Sequence, residues 1–431
     1  MTVEVEGELP VRIVQKAKGT PALQIGADIC VVGAGISGVS AAIEAARLGR
    51  KVILVDGLPS LGGQAVNSII GTFCGLFSNG LGARQLTHGI ADEILHDLGA
   101  QGALHYNRSP ATTVVYYDEV ALSRWVERTI HAAGITVVLG AVLRQVELED
   151  RRVKELHLAT RYGDLRIAAT GFVDSTGDAA LAWEAGLACR QPDIPIFGTQ
   201  MVVLEHLDET HRPTPADFKQ RSIEKAAQYG LVRTDGLAFY FPGRGTAAIN
   251  MTHVETPLDP LGASQKALEG KDQADRVVAF LKAEFPATFG NAQVRAYGLP
   301  GIRQTRWIVG RHQLTTEEVR HGVRFADAIG RTAWPIELHG KPEGYKWETF
   351  AEDHLHYIPL DSLLPSDAHN LVAAGRCIDA DAAALSSVRV MGPCIAMGAA
   401  AAHALDLAGS GSLHQIDMGN LSRRLSHNLD G

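Results

Sequence analysis

Three glycines near residue 35 have the spacing that cradles a phosphate group. Gly33, Gly35 and Gly38 form a Gly-x-Gly-x-x-Gly motif directly after the apolar run Ile29–Val32. In this motif the first glycine allows a tight turn, the second lets the backbone approach a pyrophosphate, and the third lets a helix pack against a strand. Free N–H groups at the start of that helix then attract the anion. The motif therefore predicts a nucleotide-binding turn.

An acidic residue completes the motif at the end of the next apolar run. Asp56 follows the stretch Lys51–Val55, at the position where a carboxylate can accept hydrogen bonds from the hydroxyl pair of a ribose. Strand, glycine turn, helix, strand and acid come in the order of a βαβ unit, which favours an adenine dinucleotide over an ordinary glycine-rich helix start. The motif alone does not distinguish FAD from NAD.

Arginines and histidines later in the chain could act on a substrate. Arg303, Arg306 and Arg389 could orient a carboxylate or offset negative charge on a cofactor, and the alternative for each is an ion pair that links two domains. The histidines that could act as acid or base near neutral pH are His339, His354 and His356. For each histidine alone, a structural role is the more common one.

Metal and thiol chemistry are less favoured by the sequence. His354 and His356 with Asp353 offer no third separated ligand, so we expect no metal. The five cysteines are scattered and include no Cys-x-x-Cys, which argues against a disulfide scaffold or a zinc site and favours a reducing cytoplasm. Thiols that could approach a cofactor, with small buried residues as the alternative interpretation, are Cys74, Cys377 and Cys394.

Length and charge limit the class of protein. A chain of 431 residues predicts two domains, because single cores stop growing at roughly 250–300 residues. With 40 Lys and Arg against 48 Asp and Glu and no basic cluster, binding to nucleic acid is not expected. The segment Met1–Gly7 is acidic where a secretory leader would be basic, and no apolar span long enough for a bilayer is evident. We expect a protein of the cytoplasm without membrane contact.

The secondary structure around these residues can also be predicted. Asp118 and Gly134 should cap and end a helix. Four apolar runs separated by short polar turns predict an antiparallel meander: 135–141, 142–148, 153–160 and 165–169. A further strand is expected at 171–174, and charged helices near 215–230 and 261–285.

The predicted fold class is α/β, with a Rossmann-like domain that contains a parallel sheet and a β-meander, and an inserted α+β substrate domain. We assign residues 1–24 to an N-terminal arm or edge strand, residues 25–190 and 352–431 to the nucleotide-binding domain, and residues 191–351 to the substrate or cap domain. The change in character near residue 192, where prolines and charged helical stretches begin, supports the insertion.

Four further places in the chain carry a resemblance to a known family: Phe172–Ala182; Arg303–Gly310 with Phe325–Ile329; Ala374–Ile378; and Val388–Cys394. Together with the glycine motif, these segments resemble FAD-dependent oxidoreductases of the glutathione-reductase-like superfamily, relatives of fumarate-reductase flavoprotein subunits, over roughly residues 28–190 and 295–408. The resemblance implies that the dinucleotide is FAD. It places the adenylate end at Gly33–Asp56 and the flavin near Val388–Cys394.

The resemblance and the motif together predict these cofactor-binding residues: Gly33, Ala34, Gly35, Ile36, Ser37, Gly38, Asp56, Gly57, Gly62, Gly63, Gln64, Val142, Thr176, Gly177, Asp178, Gly375, Arg376, Arg389, Val390, Met391 and Gly392. Some positions depart from the family pattern. Gln64 and Asn67 follow the glycine pair with no nearby histidine of the type that some relatives use for covalent attachment, so noncovalent FAD is expected. Asp379 and Asp381 stand where relatives often have Ser or Thr and His, which indicates different substrate contacts.

The resemblance implies hydride transfer between a small metabolite and flavin N5. Arg303 or Arg306 would fix the substrate and a histidine such as His354 would handle the proton. No second glycine motif is present, so an external electron donor or acceptor is expected, with an oxidase or dehydrogenase as the leading class. The alternatives are a reductase of an activated double bond, a flavin monooxygenase or a non-catalytic flavin-binding subunit. Association into a homo-oligomer is compatible with the sequence.

Overall fold

The computed structural model describes residues 13–430, so most of the expected N-terminal arm, residues 1–12, lies outside the described part. The strands, in chain order, are β1 (Leu23–Val32), β2 (Val52–Asp56), β3 (Thr72–Phe73), β4 (Leu104–Arg108), β5 (Thr113–Tyr117), β6 (Thr136–Leu139), β7 (Val142–Glu149), β8 (Arg152–Thr160), β9 (Gly163–Asp174), β10 (Cys189–Arg190), β11 (Val202–Glu205), β12 (Leu237–Phe241), β13 (Thr246–Asn250), β14 (Gln293–Tyr297), β15 (Trp307–Ile308), β16 (Ala328–Thr332), β17 (Ile336–Leu338), β18 (Lys346–Glu348), β19 (His356–Pro359) and β20 (Leu371–Ala373).

The α-helices, in chain order, are α1 (Ile36–Arg47), α2 (Gly63–Asn67), α3 (Ile90–Ala100), α4 (Glu119–Ala132), α5 (Ala180–Glu184), α6 (Pro215–Tyr229), α7 (Pro260–Glu284), α8 (Pro286–Phe289), α9 (Thr316–His321), α10 (Ala382–Val388), α11 (Met391–Ala408), α12 (Met418–Arg424) and α13 (Ser426–Leu429). Three expected helices are present. Asp118 accepts hydrogen bonds from the backbone of Val120 and Ala121 and so caps α4, and α6 and α7 occupy the two charged stretches.

A seven-stranded sheet holds the glycine motif at its centre. Its order is β6-β2-β1-β9-β8-β7, and β20 pairs with the end of β9. Strands β6, β2, β1, β9 and β20 run parallel, and β8 and β7 are antiparallel additions. The residues of β1 from Ile29 to Val32 are all buried, as expected for a strand covered on both faces. The structure confirms the α/β fold class with its Rossmann-like sheet.

The meander differs from the sequence expectation. The run 135–141 forms β6, which pairs in parallel with β2 and so belongs to the nucleotide-binding sheet. The runs 165–169 and 171–174 are one continuous strand, β9, which pairs with β8 over its first half and with β20 at its end. The meander therefore consists of β7, β8 and β9. An alternation of apolar and polar residues predicts a strand but not the direction of its partner strand. For this reason the prediction that β6 belongs to the meander was wrong.

The C-terminal helix α11 packs directly on α1. Ser40 Oγ donates to the carbonyl of Ile395 at 2.7 Å, and a side chain at Gly398 would overlap the carbonyl of Ser37. By length and composition α11 is the one described helix that could cross a bilayer, whereas the sequence analysis expected no span of that kind. However, 72% of that span is buried inside the protein, as in the core helix of a globular domain. The nucleotide-binding core thus joins both ends of the chain.

A four-stranded antiparallel sheet, β12-β13-β11-β14, forms the centre of the inserted region. Helices α6 and α7 cover one face of it, and their buried side chains Phe218, Val277 and Phe280 share a core with Val202 and Ile249 of the sheet. In the sequence, two antiparallel pairs come between this sheet and the C-terminal segment: the hairpin of β17 and β18, and the pair of β16 and β19. This arrangement brings residues from distant parts of the chain close to α11.

Candidate functional site

The glycine turn has the close contacts that its motif requires. Gly33 has a φ of +101°, and a side chain there would overlap the backbone of Ser175. A side chain at Gly38 would overlap the carbonyl of Gly33. At Gly35, by contrast, no atom lies within 4 Å of the position that a Cβ would take. The first and third glycines are therefore needed by the fold, and the second leaves room for a ligand.

Buried donors without a protein partner surround this open space. Gly35 is the N-cap of α1 and supplies no side-chain cap, so the first N–H groups of the helix are not capped by it. Ser37 Oγ and Arg376 Nη1 are both buried and have no hydrogen-bond partner within residues 13–430. Gly375 lies against Ser37, with 3.2 Å between its would-be Cβ and that of Ser37. Helix terminus, hydroxyl and guanidinium together form a site suited to a pyrophosphate.

Asp56 lies at the end of β2 beside the turn. Its carboxylate accepts hydrogen bonds from the backbone of Ala34 at 2.5 Å and of Leu58 at 2.7 Å. Burial raises the pKa of Asp56, and these two N–H groups oppose that rise. Each oxygen keeps a further lone pair that can accept the predicted hydrogen bond from a ribose hydroxyl. Gly57 follows Asp56, and Val142, at the start of β7, is 61% exposed.

The pair Gly62 and Gly63 packs against the turn itself. The N–H of Gly62 donates to the carbonyl of Ala34 at 2.8 Å, and a side chain on Gly63 would lie 2.6 Å from the Cα of Gly35. Gln64 Oε1, next in the chain, accepts a hydrogen bond from the backbone of Ile302 at 3.1 Å. This short segment thus connects the dinucleotide turn with the irregular segment that carries Arg303.

Thr176, Gly177 and Asp178 lie between the turn and that same segment. The N–H of Gly177 donates to Cys377 Sγ at 3.0 Å, and Asp178 accepts a hydrogen bond from Thr305 Oγ1 at 2.5 Å. Thr176 Oγ1 donates to Asp174, a fully buried carboxylate. These three predicted residues thus lie between the turn and the Arg303 segment, where the side chains of Thr176 and Asp178 and the backbone N–H of Gly177 hold neighbouring segments together.

The segment Arg389–Gly392 meets the loop that contains Cys74 and Gly75. The N–H of Gly392 donates to the carbonyl of Cys74 at 2.9 Å, and Gly75 faces Val390 and Pro393 so closely that it leaves no room for a side chain. The helix α11 begins at Met391, after the N-cap Val390. Its positive end is therefore directed at this junction, which is where the resemblance places the flavin.

Arg303 is a buried guanidinium with few partners. It is 8% exposed, and Nη1 donates to the carbonyl of Phe197 at 2.7 Å. Among residues 13–430 no carboxylate forms an ion pair with it, in contrast to Arg190, which pairs with the buried Asp379. Burial, followed by the charges of Arg233 and Arg389, lowers the pKa of Arg303 to about 9.

The two arginines that the sequence grouped together are directed to different places. Arg306 stacks on the ring of Trp183, with 4.4 Å from its guanidinium carbon to the ring centre. Arg303 instead lies beside Phe197, and the N–H of Phe197 in turn donates to the carbonyl of His339. The Nε of Arg306 has no hydrogen-bond partner in the described chain. Arg303 and Arg306 therefore belong to separate surroundings.

A row of hydrogen-bonded side chains lies next to Arg303. His253 Nδ1 is 2.7 Å from the carbonyl of Pro342, and His253 Nε2 is 2.9 Å from His339 Nδ1. His339 Nε2 is 2.9 Å from Glu337 Oε1. Burial lowers the pKa of His253 to about 3, and burial with the nearby arginines holds the pKa of His339 well below its usual range. We call His253, His339 and Glu337 the relay.

Two further arginines complete a group around the relay. Arg233 is 1% exposed, pairs with Asp235 at 2.6 Å and lies over the ring of Tyr345. Arg389 is partly buried, its Nη2 donates to the backbone carbonyl of Glu337 at 3.3 Å, and its Nε has no partner in the structure described. We refer to Arg233, Arg303, Arg389 and the relay as the arginine–histidine cluster.

The sequence analysis missed His253, Glu337 and Arg233. The only local signal is the pair Glu337 and His339, which are two apart and therefore share one face of an extended chain. Arg233 and His253 come from loops before β12 and after β13, and nothing in the sequence around them marks them. Only the fold brings them together.

His354 makes its contacts elsewhere. Its ring stacks on Phe350 at 4.1 Å, and Nε2 lies 3.2 Å from His356 Nδ1. His356 is fully buried and contacts Ser387 Oγ at 2.8 Å, and burial lowers its pKa to about 3. Within residues 13–430, no hydrogen bond, ion pair or ring contact joins this histidine pair to Arg303. The structure thus favours His339 over His354 as the histidine near the arginines.

Asp379 and Asp381 have structural partners. Asp379 is buried and pairs with Arg190 at 2.8 Å, while Asp381 caps α10 and binds Thr316. The cysteines are free thiols. Burial raises the pKa of Cys74 and Cys377 above the ordinary range and that of Cys394 to about 12, so none of the three is an activated thiolate.

One group of potential metal ligands lies on the meander. Glu147, Glu155 and His157 have ligand atoms within 4.8 Å of one another. Glu155 also pairs with Arg166 at 3.1 Å, and Glu147 is exposed. These contacts are those of a solvated ion-pair network on a sheet surface. We assign no metal to it.

The glycine turn, the acid at the end of β2 and the returning C-terminal segment define a dinucleotide-binding oxidoreductase fold. The family model described as FAD dependent oxidoreductase matches residues 28–425, and the chain therefore belongs to that family. Its cofactor is FAD and it is an enzyme of the oxidoreductase class. Among proteins with curated functions, none matches the sequence significantly.

Solved structures resemble the fold at low sequence identity. A geranylgeranyl bacteriochlorophyll reductase-like protein from Thermoplasma acidophilum has 13% identity and a TM-score of 0.50, over 94% of this chain and 84% of that one. The flavin-dependent brominase Bmp2 has 12% identity and a TM-score of 0.45, over 93% of this chain and 83% of that one. The anhydrotetracycline hydroxylase OxyS from Streptomyces rimosus has 12% identity and a TM-score of 0.45, over 89% and 62%. At these identities the first likeness supports the fold alone.

Proposed function

We propose that the protein transfers a hydride between a small-molecule metabolite and N5 of FAD, as an oxidase or dehydrogenase that passes electrons to an external acceptor. The observation that supports this most is the position of the arginine–histidine cluster. Arg389 belongs both to the cluster and to the segment that packs on Gly75. A substrate held by the cluster would therefore lie beside the expected flavin position.

The residues present fit FAD. Ser37, Arg376 and the uncapped start of α1 would hold the pyrophosphate, Asp56 would bind the ribose, and the start of α11 would face the flavin. When bound, FAD supplies a two-electron acceptor or donor. Gln64 is engaged with Ile302, and we propose that the FAD is noncovalent. Acid precipitation should then release the flavin into the supernatant, whereas flavin that stays with the protein pellet would contradict this.

The protein's own residues have three roles in this proposal. Arg303 orients the substrate, because a buried guanidinium without a carboxylate partner has donors to spare. Glu337 exchanges a proton with the substrate, and His339, whose two ring nitrogens contact Glu337 and His253, passes that proton along the relay. Phe197 and Tyr345, which stack on His253 and His339, keep water away from these groups.

Kinship with the glutathione-reductase-like superfamily and with fumarate-reductase flavoprotein subunits is part of this proposal. It rests on the segments Phe172–Ala182, Arg303–Gly310, Ala374–Ile378 and Val388–Cys394. In the structure, parts of all four lie along one path from the glycine turn to the cluster.

Anaerobic reduction of the bound flavin tests the proposed function. The holoenzyme is mixed with small hydroxy acids, amino acids and uncharged alcohols, and loss of the oxidised-flavin absorbance is followed. We expect at least one class to reduce the flavin, and admission of oxygen or a quinone to restore it. Reduction by none of them, together with rapid oxidation of chemically reduced enzyme by unsaturated acids, would instead assign a reductase. A reduced enzyme that shows hydroperoxyflavin absorbance with oxygen would assign a monooxygenase.

A further inference from the structure

The charges of the arginine–histidine cluster do not balance. Three guanidinium groups, those of Arg233, Arg303 and Arg389, lie around the relay: Arg303 feels the charges of Arg233 and Arg389, and His339 feels the charges of all three. The carboxylates that face them are Asp235, paired with Arg233, and Glu337. Even with both carboxylates ionised, the described residues leave one positive charge in excess. A buried excess charge is costly unless a ligand compensates it.

The unsatisfied donors indicate what that ligand is. Arg303 uses one of its five N–H donors, and Arg389 Nε has no partner in residues 13–430. A guanidinium presents its donors in a flat fork that matches the two oxygens of a carboxylate. The walls of the cluster are aromatic, with Phe197 on His253 and Tyr345 on His339. Such a site suits a carboxylate on an apolar or aromatic body.

The relay lacks one proton for its hydrogen bonds. The relay has three contacts: Pro342 with His253, His253 with His339, and His339 with Glu337. The carbonyl of Pro342 can only accept a hydrogen bond, so a full set of hydrogen bonds needs one proton at each contact. Two neutral imidazoles and an ionised carboxylate supply two protons. One of the three contacts therefore lacks a hydrogen bond unless an additional proton enters the relay.

The surrounding charges decide whether that proton is present. His339 is faced by Arg303, Arg233 and Arg389 and by His253, and all four oppose a positive charge on it. Of the carboxylates in residues 13–430, Glu337 is the one in contact with His339. When an anion binds the guanidinium groups, their field at the relay is reduced, and the additional proton becomes more stable. Pro342, at one end of the relay, lies among exposed residues, so a proton from solvent can enter the relay there.

We propose that the arginine–histidine cluster binds the carboxylate group of the substrate, and that binding is accompanied by uptake of one proton into the relay of His253, His339 and Glu337. This inference rests on the proposed function in assigning the cluster to the substrate. It names the substrate class as a carboxylic acid with an apolar or aromatic body. The proton taken up on binding can accompany reduction of a substrate. During oxidation the relay can accept the substrate's proton only after this first proton has left through the end of the relay at Pro342.

Titration calorimetry of the holoenzyme with benzoate and with uncharged benzamide tests the proposal. Measurements at one pH in HEPES and in Tris, which differ in ionisation enthalpy, give the number of protons taken up on binding. We expect benzoate to bind with uptake close to one proton, and benzamide to bind roughly 10-fold to 100-fold more weakly. Benzoate need not be oxidised, so this result is independent of whether a reacting metabolite is found.

Four variants locate the effects. Arg303→Met should weaken benzoate binding roughly 10-fold or more, and Arg303→Lys, which keeps the charge, should restore part of the affinity. Glu337→Gln should bind benzoate with proton uptake near zero, because the relay then has no ionised carboxylate. Arg295→Met removes an exposed arginine near Glu119 and should match the parent protein. Thermal unfolding and flavin content confirm that each variant is folded.

Several results would overturn the proposal. Equal affinity for benzoate and benzamide would exclude a carboxylate site, and benzoate binding without proton uptake would exclude the relay. Competition by inorganic phosphate at equal concentration would assign the cluster to phosphate esters instead. If Arg303→Lys and Arg303→Met lower FAD affinity and leave benzoate affinity unchanged, the cluster serves the cofactor.

Discussion

The dinucleotide turn and the arginine–histidine cluster are built in opposite ways. The turn is made of backbone from one continuous stretch, Gly33–Gly38, with glycines where a side chain would overlap Ser175 or Gly33. The cluster is made of side chains from β17, from the end of α10 and from separate loops, and its groups are polar and largely buried. The first binds a common chemical group and can be recognised from spacing. The second sets specificity and depends on the whole fold.

The largest effect should follow from a side chain at the first glycine of the turn. Gly33→Ala combines a φ of +101° with overlap against Ser175, so we expect loss of bound FAD and a fall in unfolding free energy of about 3 kcal/mol or more. The matched control is Gly49→Ala, where φ is +79° and the space is open, with a cost of about 1 kcal/mol. Urea unfolding measures both. Equal losses would mean that backbone strain, and not overlap, determines the effect.

The second glycine should separate binding from folding. Gly35→Ala meets no atom within 4 Å, so the unfolding free energy of the apoprotein should stay within about 0.5 kcal/mol. The methyl group enters the space beside Ser37 where a pyrophosphate would approach, so FAD affinity should fall roughly 10-fold to 100-fold. Fluorescence titration of the apoprotein with FAD measures this. Unchanged affinity would place the pyrophosphate away from the turn.

The buried histidines should make the protein sensitive to mild acid. The pKa of His253 and of His356 is about 3 in the folded protein and about 6.5 in the unfolded chain. The unfolded state therefore binds more protons below pH 6.5, and stability present at neutral pH is lost as the pH falls toward 3. We expect about 1.4 kcal/mol per pH unit for each histidine. Urea unfolding between pH 7 and 5 measures the slope, and His356→Gln should flatten it. A slope that His356→Gln leaves unchanged would contradict the neutral buried state.

The smallest effect is expected at the thiols. The pKa of Cys394 is about 12 and that of the half-buried Cys189 about 11, so native protein should react slowly with a disulfide reagent at pH 8. Cys74→Ser should change flavin reduction by less than about twofold. Stopped-flow reduction and thiol titration check both points. A fast-reacting thiol whose blocking abolishes flavin reduction would point to a dithiol mechanism.

The sequence and the structure agree where local chemistry decides the outcome. The turn, the acid Asp56 and the helix cap Asp118 each follow from short-range geometry, and the structure contains all three. The β6 strand was misassigned because pairing direction is set by distant strands. Likewise Arg303 and Arg306 share a motif yet point to Phe197 and to Trp183. Side chains three apart in an irregular segment need not share a site.

A structure of the holoenzyme with FAD and benzoate tests the central claim most directly. The account predicts the flavin ring at the junction of Gly75 with Val390–Gly392, and the benzoate carboxylate on the guanidinium of Arg303 with its ring between Phe197 and Tyr345. Glu337 should then lie within reach of a group bound in front of flavin N5. A flavin ring beside His354 or Trp183, with the arginine–histidine cluster away from both ligands, would contradict the account.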